Sequence, residues 1–141
     1  MEVDFAFLAD SADAINGKIY VMGGAFDTVW AKEAPVVHPK LSLVLKLKLD
    51  AAELDRQHIL EIVVMDEDGK SVAKVGGPLE IKKNPLAYKG WPQPFLAVMH
   101  FVNLTFPKFG DYSFFVVLNN NSIKTIPLRL GQAAETKIIS H

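Results

Sequence analysis

Apolar residues recur at every second position through most of this chain, and that period sets the fold class. Leu41, Leu43, Leu45, Leu47 and Leu49 alternate with Ser42, Val44, Lys46, Lys48 and Asp50. A helix would scatter these leucines around its circumference, whereas a strand gathers them on one buried face and leaves the other mostly solvated. The second strong pattern is Phe109 to Asn120, a turn followed by a long strand. Tyr112, Phe114, Val116 and Leu118 fall on one side, and Ser113, Phe115 and Val117 on the other. Both faces are largely apolar, which places this strand in the middle of something, between two layers or two subunits. Phe95 to Phe106, with Leu96, Val98, His100, Val102, Leu104 and Phe106 in one register, and Ile123 to Leu130 read as strands on either side of it.

The remaining segments fit the same period. Val3 to Ala9 alternates as an opening strand, Asp10 to Gly17 reads as loop, and Asn16-Gly17 favours a tight turn before a strand over Lys18 to Met22. Gly23-Gly24 marks a bend where the chain crosses between sheets, ahead of a strand over Ala25 to Trp30. Pro35 and Pro39 withhold backbone donors and argue against a central ladder for residues 31–39. Asp50 to Gln57, with Glu53 three positions after Asp50, has the spacing of a capping box and room for one short helix. His58 to Asp66 and Lys70 to Val75 flank an Asp68-Gly69 hairpin turn, Gly76-Gly77-Pro78 interrupts, and Leu79 to Lys82 resumes extended character. Asn84 to Pro94 is a long proline-rich loop, and Pro127 calls for an edge or a break in the last strand.

Eight to nine short strands with at most one short helix near residues 50–57 predict an all-β chain. The expected architecture is a two-layer antiparallel β-sandwich, Ig-like or jelly-roll-like, over residues 1–131, with residues 132–141 as a C-terminal tail. Gly110-Asp111-Tyr112-Ser113-Phe114 supports a sandwich. A tyrosine at the entrance of a late central strand buries its ring while its hydroxyl bonds nearby backbone, so Tyr112 reads as a corner residue rather than a catalytic one.

Composition narrows the partners more than the chemistry. In 141 residues, 15 basic and 16 acidic side chains give a net charge of −1, so no one-sided field invites nucleic acid or anionic lipid. The absence of cysteine removes disulfides, thiolate metal sites and a cysteine nucleophile. No apolar run reaches the length of a membrane helix, and Met1 to Asp10 lacks the basic start of a signal peptide, so the expected compartment is the cytoplasm.

The stretches Met1 to Asp10, Asn16-Gly17-Lys18-Ile19-Tyr20-Val21 with Gly23-Gly24 and Phe26-Asp27, Met65 to Lys70 and Phe109 to Phe114 carry a resemblance. With them the chain resembles a family of small uncharacterised bacterial single-domain proteins, a domain of unknown function. The resemblance covers nearly the whole length through Arg129. It implies a bacterial single-domain protein and brings no catalytic residues with it.

No catalytic motif emerges. Asp66-Glu67-Asp68-Gly69 opens like a calcium loop but lacks the closing acid, having Val72, Ala73 and Lys74 there, and reads as a hairpin turn. His38, His58, His100 and His141 lack metal-ligand spacing, and His100, on an apolar register, reads as a hydrogen-bonded core histidine. No metal or cofactor is expected. The ligand candidates are Trp91 and Tyr88 in the proline-rich loop together with Asp10, Asp13 and Lys18, while the alternative for Trp91 is a ring folded down over one end of the sandwich. Phe115 and Val117, with Ile59, Val63 and Met65 if the two strands are neighbours, form the candidate interface. The expected function is a non-enzymatic structural or interaction module that self-associates or docks another protein through an apolar sheet face or edge. The alternative is a small-ligand or carbohydrate-binding sandwich using the Tyr88–Trp91 loop.

Overall fold

The alternating leucines become the axis of one of two packed sheets. The computed structural model describes residues 1–86 and 89–134. Among these residues the strands are β1 (Glu2–Ile15), β2 (Lys18–Gly24), β3 (Thr28–Ala31), β4 (Val36–Leu49), β5 (Gln57–Asp66), β6 (Ser71–Glu80), β7 (Gln93–Phe106), β8 (Gly110–Leu118) and β9 (Asn121–Gln132). One sheet has the order β2-β1-β4-β7, the other β3-β9-β8-β5-β6. All pairings are antiparallel except β3 on β9, which is parallel. The fold is therefore an all-β two-layer sandwich of nine strands.

Its connectivity follows the immunoglobulin pattern rather than the jelly roll. The first, second and fifth strands of that pattern (β1, β4, β7) share one sheet, and the late central pair β8 and β9 lies beside β5 in the other. Tyr112 completes the likeness. Its ring is 2% exposed and packs edge-on to Phe106 with centroids 4.9 Å apart. Its hydroxyl donates to the Lys108 carbonyl at 2.6 Å and accepts from the Lys108 amide at 3.2 Å. Phe114 stands two residues later, where that fold often carries its second disulfide cysteine, and packs edge-on against Phe101.

The core between the sheets is built by Leu41, Leu43, Leu45, Leu47 and Leu49 facing Leu60, Ile62, Val64, Tyr112, Phe114, Val116, Leu128 and Leu130, all buried. The opposite face of β4 is not as solvated as alternation predicts. Ser42 and Val44 are also fully buried, and the outer face opens on either side of them, at Lys40 and from Lys46 onward. Val44 belongs to a second, small cluster with Ala9 and Ala12, against which Phe7, Ile19 and Val98 pack. Ile19 and Ala12 lie on the β1–β2 hairpin, so the hairpin folds over the outside of its own sheet and covers it.

Several segment expectations change. Residues 10–15 are strand, not loop, because Asn16 (φ 51°) and Gly17 (φ 75°) form the two-residue turn that pairs Ile15 with Lys18 and extends the ladder back to Ala9. Residues 36–39 pair with β7 despite Pro39, since β1 accompanies β4 only as far as Ser42 and leaves that end a local edge. Pro127 is tolerated for the same reason: β3 bonds β9 only from Arg129 onward. Gly76-Gly77-Pro78 does not interrupt β6, an edge strand. Gly76 has φ 121°, and a Cβ there would collide with Leu60 backbone.

In β7 the inward register is Phe95, Ala97, Met99 and Phe101, then Leu104 and Phe106. Asn103, with φ 52°, slips the alternation by one. His100 therefore points outward and is exposed, contrary to the core position expected for it, with Nδ1 3.2 Å from Ser42 Oγ. The helical segment is a single 3-10 turn, Ala51–Glu53, where the Glu53 carboxylate accepts the Asp50 amide at 3.0 Å. The Gly23-Gly24 pair does what a bend should: Gly24 still pairs with Ala9, and four residues later the chain runs in the other sheet.

Candidate interaction surfaces

The hairpin that covers one sheet exposes its own other side. Directly opposite residues share a face, so Ile15 with Lys18, Asp13 with Tyr20 and Ser11 with Met22 form the outer side of the ribbon. Ile15, Tyr20 and Met22 are 52%, 57% and 75% exposed, and Val21 on the strand's rim is also exposed. Among the described residues β2 pairs only with β1, which leaves the amides and carbonyls of its second edge without a strand partner there.

A second apolar surface lies on the outside of the five-stranded sheet. β5 and β8 are neighbours, with Val63 opposite Phe115, Met65 opposite Ser113 and Glu61 opposite Val117. Phe115, Val117, Val63 and Met65 thus meet on one face, each half-buried by the others, while Ile59 at its end is exposed. The Lys74–Glu61 ion pair at 2.9 Å borders this row.

The residues considered for ligand binding separate. Asp10 packs against Gly23 at the base of the hairpin and lines an open cleft of about 630 Å³. That cleft lies at the seam between the sheets, among Gly24, Phe26, Trp30, Lys32 and Ala133. Asp13 and Lys18 are exposed on the ribbon, Asp13 opposite Tyr20 and Lys18 beside the tip. The tip does approach the proline-rich loop: Gly17 and Ile19 line one hollow with Lys46, Pro94, Phe95 and Leu96. Trp91, three residues before Pro94, is 75% exposed, so it does not fold down to seal the sandwich. Tyr88 lies outside the described residues.

Trp30 is the aromatic that sequence reading passed over. It is the third residue of a short edge strand, is 51% exposed, and its indole lies across Gly131, leaving no room there for a Cβ. Nothing local in the sequence announces the parallel pairing that brings Trp30 and Gly131 together. The exposed row on the hairpin could have been found, because an Asn-Gly turn fixes the register and thereby places Ile15, Tyr20 and Met22 on one face.

The titratable groups form pairs rather than a reactive cluster. His58 is buried, with Nε2 2.8 Å from the Glu53 carbonyl and Nδ1 3.1 Å from the Asn119 amide nitrogen. It therefore donates through Nε2, accepts through Nδ1 and ties the 3-10 turn to the end of β8. Asp66 Oδ1 is taken up by the Asp68 and Lys70 amides of the hairpin turn. The Asp68 carboxyl is held below its ordinary range by the hydrogen bond from Lys108, and Asp111 likewise by Arg129. Partial burial pushes the Glu53 carboxyl up, but the Met1 ammonium and the Asp50 amide outweigh it and the net shift is downward. Among the described residues no group of three or more His, Asp or Glu side chains could hold a metal ion. None of their helices is long and apolar enough to cross a membrane.

No curated protein matches the chain. A family model does, over residues 4–131, which is most of the sequence and every strand in whole or part. The chain belongs to a family of unknown function, DUF6941.

Proposed function

We propose that this domain is a non-enzymatic interaction module that engages a protein through the exposed side of the β1–β2 hairpin. One observation carries the reading: Ile15, Tyr20 and Met22 are exposed on one face of the hairpin, beside a strand edge that no strand among the described residues pairs. A row of large apolar side chains next to free main-chain groups is a surface for strand addition. The face formed by Phe115, Val117, Val63 and Met65 ranks second, because its side chains already cover one another and its neighbouring strands are paired on both sides. A photoreactive residue at position 22, introduced in cells, is expected to give a discrete protein adduct. The same label at Phe115 is expected to give less, and absence of an adduct at position 22 overturns the reading.

A second reading, small-ligand or carbohydrate binding, draws support from the exposed indole of Trp30 beside Asp10 and Lys32 in the seam cleft. Aromatic faces next to polar groups suit sugar rings. Fluorescence titration of Trp30→Phe and Trp91→Phe variants against a sugar panel tests it. Quenching that disappears with Trp30→Phe supports the cleft, and a silent panel ends it.

A further inference from the structure

The occupant of the β2 edge, we infer, is a second copy of this chain, paired antiparallel about a two-fold axis through Tyr20. The inference rests on the interaction-module reading and adds partner and register to it. The register follows from the turn. A two-residue loop is closed by a hydrogen-bonded pair, here Ile15 with Lys18, so the main-chain groups of Ile19 and Val21 point away from β1. Gly23, with φ 66°, twists the strand and ends the flat run. Only Ile19 and Val21 then remain to pair outward. An axis through Tyr20 sets Ile19 against the partner's Val21 and Val21 against the partner's Ile19, completing about four main-chain hydrogen bonds.

Side chains on the exposed face fit the same axis. Tyr20 meets the partner's Tyr20, and Met22 meets the stem of the partner's Lys18, burying the apolar row that is exposed in the single chain. Asp13 and Lys18 are diagonal neighbours on the hairpin's exposed face, so the face brought to the axis carries both signs and no net charge. The other sheet edges carry features that resist such pairing. β3 has four residues, β6 carries Gly76 and Pro78, and β7 carries Pro94 and the left-handed Asn103. From Lys18 to Met22 the β2 edge carries neither proline nor a left-handed residue, and the exposed apolar row stands beside it.

The absence of native cysteine makes the test direct. Across the axis the Tyr20 positions form a non-hydrogen-bonded pair with Cα atoms about 4.5 Å apart, within the disulfide range of roughly 4.4–6.8 Å. The full-length chain is expected to sediment as a dimer, and Tyr20→Cys to form a covalent dimer under mild oxidation. Linking at that position is expected to be roughly tenfold or more faster than for Trp91→Cys, a control at a more exposed position. Tyr20→Lys, which sets like charges opposite each other, is expected to give a folded monomer whose thermal midpoint no longer depends on protein concentration. Monomeric wild-type protein across micromolar to millimolar concentration, with no preference for Tyr20→Cys linking, overturns self-pairing. A dimer that links through Phe115→Cys instead overturns the edge. If the chain is monomeric yet the position-22 label captures a different protein, self-pairing falls while the interaction module stands.

Discussion

Single residues at the ends of strands hold this sandwich in register, and two of them permit clean tests. Tyr112→Phe keeps the buried ring and removes both bonds to Lys108. The expected loss is about 1–2 kcal/mol in the denaturant midpoint, since the carbonyl and amide of the corner lose their protein partner. Asn119 does more, accepting the Ile59 amide at 2.9 Å, donating to His58 and adopting φ 49°. Asn119→Ala is expected to cost about 2 kcal/mol or more, because it loses the bonds and strains the backbone. Asn119→Gly accepts the backbone angle and loses only the bonds, so it is expected to fall between wild type and Ala. Equal losses for the two variants would show that the left-handed angle carries none of the effect.

Elements were legible where their period was unbroken and obscure where a single residue broke it. The five leucines of β4 and the Tyr112 register of β8 read directly as strands, and they are the two walls of the core. Asn103 hid the inner face of β7, because a left-handed residue shifts parity without any change in composition. The hairpin covering Val44 was also hidden, since Asp10 to Ile15 contains residues with little strand preference that a two-residue turn nevertheless locks into a ladder. At the glycine pair of β6 the sequence shows an interruption where the structure shows a continuous strand. Gly76→Ala is expected to cost upward of about 2 kcal/mol, with a positive φ and the Leu60 backbone both opposing a Cβ. Gly77→Ala, with open space around its Cβ and no left-handed angle, is expected to be neutral or to stabilise by about 0.5 kcal/mol. Chemical denaturation of the two variants side by side separates backbone geometry from the loss of glycine as such.

Across the whole molecule, the near balance of 15 basic and 16 acidic residues leaves local ion pairs, rather than net charge, to set the response to pH. Asp4 lies 3.2 Å from Lys46 and 3.5 Å from Lys48, joining β1 to β4, and the Lys46 hydrogen bond leads in lowering its carboxyl. Asp68 with Lys108 joins the β5–β6 turn to the tyrosine corner at 2.6 Å, and Asp111 with Arg129 joins β8 to β9 at 2.8 Å. All three carboxyls are lowered in the folded chain relative to the value of 3.8 for a free aspartate. A carboxyl held low when folded binds its proton more readily when unfolded, so its contribution is present above that value and is lost as pH falls through the folded one. The thermal midpoint is therefore expected to show no contribution from these pairs to its slope near neutrality and to decline below about pH 4. Because the carboxyls are solvent-exposed, molar salt is expected to flatten the decline. The Asp4→Asn, Asp68→Asn, Asp111→Asn triple variant is expected to flatten it even at low salt. An equally steep acid decline in the triple variant would assign it to other groups, with Glu53 at the 3-10 turn the next to test because its carboxyl is lowered as well.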